Sequence, residues 1–392
     1  MKTNIAILGS TGSIGKTTIN IIKKNKKNYN ICLLSTNKNT KEILKQANFF
    51  NVKNIIITDK ENFNKFKNDQ NNKKLNIYNN FDELNKIFKK KIDYIMSSIS
   101  GIGGLDPTLK VIKFTNKIAI ANKESIICGW NIINKIAKKN NTIIIPIDSE
   151  HFSIKTLLHN HSFSEIKKIY ITASGGPFLN LPNNKFAKIK PSDAIKHPKW
   201  KMGKKISIDS ATLMNKILEL IEAVKIFSLP LNKFKIIVHP QSLVHAIVEF
   251  KNGLIKLLYH EPDMTIPISN ALFDFKSNIN NYTSTLKRKN IIENLVFKEV
   301  DKKKFPVIRL IPKLNNYFST PIIINGANEI FVDQFLEKKI SFNSIIQYLY
   351  LVLKDKNYKK YAIQRSNNLK NIYMIDKWSR ATALKIIERK SK

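Results

Sequence analysis

Cysteine is close to absent. Only Cys32 and Cys128 occur in 392 residues, with no CxxC pair and no zinc-type spacing. A disulfide framework and a structural zinc site are thereby excluded, and the expected setting is a reducing cytoplasm. Long apolar runs are missing too. None approaches the roughly 18–20 residues that a membrane-spanning helix needs, so no membrane association is expected. No leader is expected either, because Met1-Lys2-Thr3 runs straight into the strand-like Asn4–Leu8. Acidic residues are few, 29 against 67 Lys plus Arg, which leaves a net charge of +38. Such a charge would suit a nucleic-acid binder. Yet arginine, the side chain suited to bidentate base and phosphate contacts, numbers only 5. The lysines are scattered, and Lys, Asn and Ile, all abundant here, share AT-rich codons. The charge therefore reads as compositional drift, and no specific nucleic-acid partner is expected.

Glycine is scarce as well, at 12 residues, and most of it is clustered at 9–15, 101–104 and 175–176. Clusters in so glycine-poor a chain mark backbone that tolerates no Cβ. What is abundant is ordinary: 43% hydrophobic and 24% charged residues, as in a globular protein, over a length suited to two or three domains. Strand-like runs at Asn4–Leu8, Asn30–Ser35, Asn54–Thr58, Asp93–Ser98, Lys117–Ala121 and Thr142–Ile147 alternate with helix-period segments. This pattern predicts an α/β fold whose N-terminal domain, residues 1–150, is a doubly wound parallel sheet. Residues 60–80, rich in Asn and Lys, read as a solvated surface segment. Residues 151–275 mix strands at Lys168–Ala173, Phe234–Val238 and Ala246–Phe250 with a helix near Leu213–Phe227, predicting a central α+β domain. Residues 276–310 read as an irregular connection and 311–392 as a C-terminal helical domain.

Gly9-Ser10-Thr11-Gly12-Ser13-Ile14-Gly15 joins the first strand to the first helix. There a glycine backbone can approach a pyrophosphate, and the helix N-terminus offers N–H groups and positive potential. The second strand ends in Ser35-Thr36-Asn37-Lys38-Asn39, without the acid that a NAD site places on the ribose 2′-hydroxyl. A lysine there suits a 2′-phosphate, which predicts NADP over NAD. Past the strand ending in Pro146-Ile147, Asp148 and Glu150 stand at i and i+2, on one face if the backbone is extended. Downstream, Asn215 and Glu219 are helical i,i+4 neighbours that would share a face with Glu222 and Thr212. Three carboxylates without a Cys or His pair would suit Mg²⁺ or Mn²⁺, although acids at such places commonly face water, and spacing alone leaves both readings open. Ser174-Gly175-Gly176-Pro177 can hold a phosphate or oxyanion, and His197–Lys205, with Trp200 and Met202, reads as a flap. His239 and His245 read as structural histidines.

Taken together, the segments Leu8-GSTGSIG-Lys16, Ser100-GIGGLDPTL, Ala121-NKES, Pro146-IDSEH, Ala173-SGGPF, Lys196-HPKWKMGKKISIDSATLMNK, Leu218-ELIEA, Val238-HPQSLVH, His260-EPDM and Asn325-GANE resemble the 1-deoxy-D-xylulose 5-phosphate reductoisomerase family, in the family's order and across nearly the whole chain. The resemblance implies an NADPH-dependent oxidoreductase of isoprenoid precursor synthesis. It would rearrange the carbon skeleton of 1-deoxy-D-xylulose 5-phosphate and reduce the resulting aldehyde to 2-C-methyl-D-erythritol 4-phosphate. It also implies a homodimer and a divalent ion, Mg²⁺, Mn²⁺ or Co²⁺, on Asp148, Glu150 and Glu219.

By motif, the catalytic residues would be Lys123, Asp148, Glu150 and Glu219. The sugar phosphate would meet Lys123, Ser149, Glu150, Ser174, His197, Trp200, Met202, Ser210, Asn215, Lys216 and Glu219. NADPH would meet Thr11, Gly12, Ser13, Ile14, Asn37, Lys38, Asn39, Asn122, Glu124 and Gly203. The chain departs from the family pattern at Asn37, usually Gly; at His260, usually Gly; and at Thr265-Ile266, where the family usually begins with Arg. The last two should affect packing or dimerisation. The competing readings are an NADP-dependent oxidoreductase without a metal and a basic nucleic-acid-binding protein.

Overall fold

The computed structural model describes residues 2–69, 74–200, 202–276, 278–283 and 294–391. The chain divides into two compact units. One comprises residues 1–125, 131–152 and 263–289; the other comprises 126–130, 153–262 and 290–392.

The first unit is built on seven strands: β1 (Thr3–Leu8), β2 (Tyr29–Thr36), β3 (Asn54–Ile57), β4 (Asn76–Tyr78), β5 (Ile92–Ser97), β6 (Thr115–Ile120) and β7 (Ile143–Pro146). All pair in parallel, in the order β4-β3-β2-β1-β5-β6-β7. The strands are rich in Ile, Leu and Ala because helices cover both faces of such a sheet and most of its side chains are buried. Ile5, Ala6, Ile7 and Leu8 are wholly inaccessible, as are Leu33, Leu34 and Ile55. The order reverses between β1 and β5, and beyond the carboxyl ends of strands at such a switch an open α/β sheet forms its ligand crevice. The doubly wound sheet expected from sequence is present. Residues 60–80, however, are more than a solvated segment. Lys60–Asn68 is a helix capped by Asp59 that buries Phe66, and β4 supplies an edge strand; residues 70–73 lie outside the described residues. The helix Thr265–Phe273 packs in this unit through Ile268 and Ala271.

The second unit holds a mixed sheet of β8 (Ile166–Ala173), β9 (Phe234–Val238), β10 (Val244–Phe250), β11 (Ile255–Tyr259) and β12 (Lys298–Glu299), in the order β11-β10-β8-β9-β12. Only β8 and β9 run parallel. β11 was not foreseen, and β12 falls inside the stretch expected to be irregular. The helices Lys204–Ala211 and Met214–Phe227 precede β9. Four helices follow the sheet: Thr320–Leu336, Phe342–Val352, Tyr358–Ala362 and Leu369–Ser391. Phe178, Phe186, Phe335 and Phe342 form one edge-to-face cluster that fastens the segment after β8 to these helices. His260 stacks on His245 with ring centroids 3.8 Å apart, so this departure from the family pattern is absorbed in packing. Among the described residues no helix is long and apolar enough to cross a membrane.

Candidate active site

In the first unit, β1 ends at Leu8 and the helix Ser13–Lys24 begins at Gly12. Gly9 has φ +74°, and a Cβ on Gly15 would stand 2.3 Å from the Gly9 carbonyl oxygen. The turn closes only because both positions lack a side chain. The Gly9 and Ser10 amides are tied to β2, at Ser35 Oγ and Ser35 O, each at 2.9 Å. The Ser13–Lys24 helix has no side-chain cap, whereas the next helix is capped by Asn39, whose oxygen accepts from Glu42 N–H at 3.1 Å. Its first amide groups are thus available to an anion. Thr11 Oγ1 lies 2.7 Å from Thr36 Oγ1. At the end of β2, Asn37 donates to Thr58 Oγ1 at 2.9 Å, and Lys38 points largely into solvent with its ammonium 3.9 Å from Asp59. Asn122 caps the helix Lys123–Lys139 and donates to the Gly101 carbonyl at 2.9 Å, so its carboxamide is structurally committed. Glu124 is buried in that helix's first turn.

The same unit carries the first carboxylates. Lys123 Nζ lies 2.7 Å from Asp148 Oδ2, and both groups are largely shielded from water. Glu150 follows within reach, with carboxylate oxygens of Asp148 and Glu150 within 4.8 Å of each other. The extended i,i+2 geometry expected here is not what brings them together. Ser149–Leu157 is a helix, Asp148 immediately precedes it, and the Glu150 N–H donates to Asp148 Oδ1 at 3.3 Å. Two acids are favoured there because a helix start attracts negative charge. Ser149 Oγ donates to Glu150 Oε2, and His151 Nδ1 stands 3.4 Å from Asp148 Oδ1. His151 stands next to Glu150 in the same motif, yet spacing and residue type alone do not mark it as a site residue.

In the second unit, Glu219 is buried in the middle of the Met214–Phe227 helix. It accepts from Asn215 and lies 2.6 Å from Lys216 Nζ, an i,i+3 pair that is itself buried. Thr212 does not share this face, contrary to expectation. It ends the preceding helix, and Leu213, at φ +64°, breaks the chain between the two helices. Glu222 is buried one turn further on.

The Ser174-Gly175-Gly176 turn leaves β8 with both glycines at positive φ, +82° and +65°. Ser174 Oγ accepts the Gly176 N–H at 3.0 Å and lies 2.9 Å from His197 Nε2. His197 Nδ1 accepts the Lys199 and Trp200 N–H groups at 3.1 and 2.9 Å. An imidazole that accepts at Nδ1 carries its proton on Nε2, so Nε2–H donates to Ser174. Burial, helped by the Lys216 ammonium, lowers the His197 pKa to about 4 and keeps the ring neutral. With two donors already on Ser174 Oγ, its own hydroxyl proton is left to be donated to another partner. Trp200 meets the His245 ring edge-on at 5.8 Å. Met202 is half-buried, and Gly203 caps the helix that ends in Ser210-Ala211. His239 and His245 are buried, bonded to the Val296 and His260 carbonyls, as structural histidines would be.

Three family models match the chain. "1-deoxy-D-xylulose 5-phosphate reductoisomerase" covers residues 5–129, its C-terminal domain covers 144–227, and "DXP reductoisomerase C-terminal domain" covers 260–382. The 1-deoxy-D-xylulose 5-phosphate reductoisomerase of Pelagibacter ubique (strain HTCC1062) is 50% identical over 94% of this chain and 95% of its own. The solved Zymomonas mobilis reductoisomerase in complex with NADPH is 33% identical, with TM-score 0.88 over 99% of this chain and 100% of that one. A solved DOX-P reductoisomerase in complex with NADPH, fosmidomycin and magnesium is 32% identical, with TM-score 0.91 over 100% of this chain and 99% of that one.

Proposed function

The chain belongs to the 1-deoxy-D-xylulose 5-phosphate reductoisomerase family, and from that premise we propose that it carries out the family's reaction with the residues described above. It is an NADPH- and divalent-metal-dependent oxidoreductase. It rearranges the skeleton of 1-deoxy-D-xylulose 5-phosphate, and the resulting aldehyde takes a hydride and a proton to become 2-C-methyl-D-erythritol 4-phosphate. When bound, the divalent ion supplies Lewis-acid polarisation of the substrate oxygens and NADPH supplies the hydride.

The observation that carries the site assignment is a pair of shielded ion pairs, Lys123–Asp148 at 2.7 Å and Lys216–Glu219 at 2.6 Å. Burying four charged groups is costly unless each is compensated. Here each acid is compensated by a lysine that the same motifs supply. The donor set, the oxygens of Asp148, Glu150 and Glu219, fits a hard cation such as Mg²⁺ or Mn²⁺. Those carboxylates would hold the ion, leaving both ammonium groups to turn toward substrate: Lys123 toward the oxygens of the reacting carbons, with Ser149, and Lys216 toward the phosphate, with Asn215. The remaining hydroxyl proton of Ser174, whose oxygen is held by His197 and Gly176, would be donated to the phosphate, and Ser210 would join it. Phosphate binding remote from the reacting carbons orients them and favours closure of Trp200 and Met202 over the substrate, which excludes water.

The cofactor reading is supported by the uncapped Ser13–Lys24 helix and the glycine turn before it, where Thr11, Gly12, Ser13 and Ile14 would receive the pyrophosphate. Lys38, with Asn37 and Asn39, would receive the 2′-phosphate; Asn122, Glu124 and Gly203 complete the set. A homodimer is supported by β11, an edge strand whose Ile255 and Leu257 are exposed, with Leu254 exposed just before it. Two sparse cysteines support a cytoplasmic setting.

The test is loss of NADPH absorbance with 1-deoxy-D-xylulose 5-phosphate, with and without Mg²⁺ or Mn²⁺. Oxidation that needs both substrate and metal is the expected result. Oxidation that ignores chelation would refute the metal reading, and none at all by a folded, NADPH-binding protein would refute the substrate.

A further inference from the structure

The helix Lys204–Ala211 connects the flap to the phosphate-binding residues, and it is only eight residues long. So short a helix has little stability of its own, and its position is decided by what anchors it. The anchor is unusual. Asp209 is a fully buried carboxylate, and the equally buried Asn328 donates its Nδ2–H to Asp209 Oδ1 at 2.7 Å, while Lys205 Nζ stands 2.7 Å from Oδ2. Asn328 belongs to the helix Thr320–Leu336, which is held in turn by the C-terminal helix: Ser379 Oγ donates to the Ile323 carbonyl at 2.7 Å, and a Cβ on Gly326 would stand 2.7 Å from Asp376. Asp209 thus ties a short helix to a rigid pair of long ones.

What the tie controls is visible one residue on. Ser210 follows Asp209 and is half-buried where Asp209 is fully buried. The Ser174–Gly176 turn lies against the same end of the helix, since a Cβ on Gly176 would meet the Ser210 carbonyl oxygen at 2.9 Å and Ala211 Cα at 3.0 Å. The rotation and depth of this helix therefore set the separation of the Ser174 and Ser210 hydroxyls. We propose that Asp209 and Asn328 are positioning residues for the substrate's phosphate, acting through Ser210 and the Ser174 turn. The C-terminal helices are then part of the phosphate subsite's geometry. This rests on the phosphate assignment made above.

A misplacement of about 1 Å in such a subsite can cost up to about a hundredfold. Asp209→Asn is expected to raise KM for the sugar phosphate about tenfold or more, to change kcat less than threefold, and to weaken competitive inhibition by inorganic phosphate by the same factor as KM. Placing Asn328→Asp in the Asp209→Asn background reverses the amide–carboxylate pair and should return KM to within about threefold of the wild type. Unchanged KM with a lowered melting temperature would overturn the proposal, as would tighter phosphate binding, the result if the lost negative charge were all that mattered. Asn328→Ala, which keeps the Asp209–Lys205 pair, decides the question should Asp209→Asn fail to fold. A wild type that fails to turn over the sugar phosphate would sink the functional reading, and inorganic phosphate, titrated against tryptophan fluorescence in wild type and variants, would still judge the positioning pair.

Discussion

His197 offers a prediction that can be worked from geometry. Its ring closes the flap turn by accepting two backbone N–H groups, and it fixes Ser174 Oγ from the other side. Replacement by alanine removes three neutral hydrogen bonds, each contributing about 0.5–1.5 kcal/mol net. If about 2–3 kcal/mol of that sum is felt in the transition state, kcat/KM falls by about 30- to 160-fold, with most of the change in KM because the loss is in phosphate and flap positioning. The pH behaviour follows from the sign of the shift. Burial lowers the His197 pKa from 6.5 to about 4, so the folded protein favours the neutral ring. As pH falls, the unfolded chain takes up the proton first. The stabilisation is complete above about pH 6.5 and drains between there and pH 4, by about 1.5 kcal/mol once the ring's partial exposure to solvent is allowed for. Urea midpoints at pH 7.5 and 4.5 should therefore fall more steeply in wild type than in His197→Ala. The assays are NADPH oxidation across pH and substrate concentration, and urea unfolding at the two pH values. An acid limb in kcat/KM near pH 6.5 that vanishes in His197→Ala would refute the reasoning, because it would mean that the ring titrates at its ordinary value instead of being held neutral down to about pH 4. So would a variant with wild-type KM.

Three further outcomes are expected. Glu219→Gln should cut metal-dependent turnover at least about a hundredfold and raise the Mg²⁺ concentration needed for half activity, because it removes one ligand and leaves the Lys216 ammonium without its nearest acid; a metal titration followed by NADPH absorbance checks this. Lys38→Ala should weaken NADPH binding about tenfold and leave NADH binding unchanged, read from cofactor fluorescence; an equal loss for both would remove Lys38 from the 2′-phosphate site. Leu257→Lys, which places a charge on the exposed edge strand, should shift sedimentation toward a monomer, and an unchanged sedimentation coefficient would move the dimer contact elsewhere.

Much of this protein is determined by its sequence alone. The parallel sheet is legible because most of its strand residues are buried and its strands are accordingly rich in apolar residues. The glycine turn is legible because Gly9 and Gly15 have no room for a Cβ, in a chain that keeps few glycines. The acids, lysines and serines of the site could be read from motifs, since chemistry restricts residue type more tightly than packing does. Other features were decided only by the tertiary structure. Asp148 and Glu150 meet through a helix start rather than along a strand, because the chain turns immediately after Pro146-Ile147. β11 does not show in the sequence because Ile255–Tyr259 is an exposed edge, without the burial that makes a strand conspicuous. The helix Thr265–Phe273 packs beside the first sheet, a choice that no local pattern records. Asp209 reads in sequence as one more polar residue of a helix, and its partner Asn328 lies 119 positions away. Periodicity and motif are local, so they name elements and chemical groups. A buried carboxylate finds its amide only when the chain has closed on itself, and that closure depends on contacts between residues far apart in sequence.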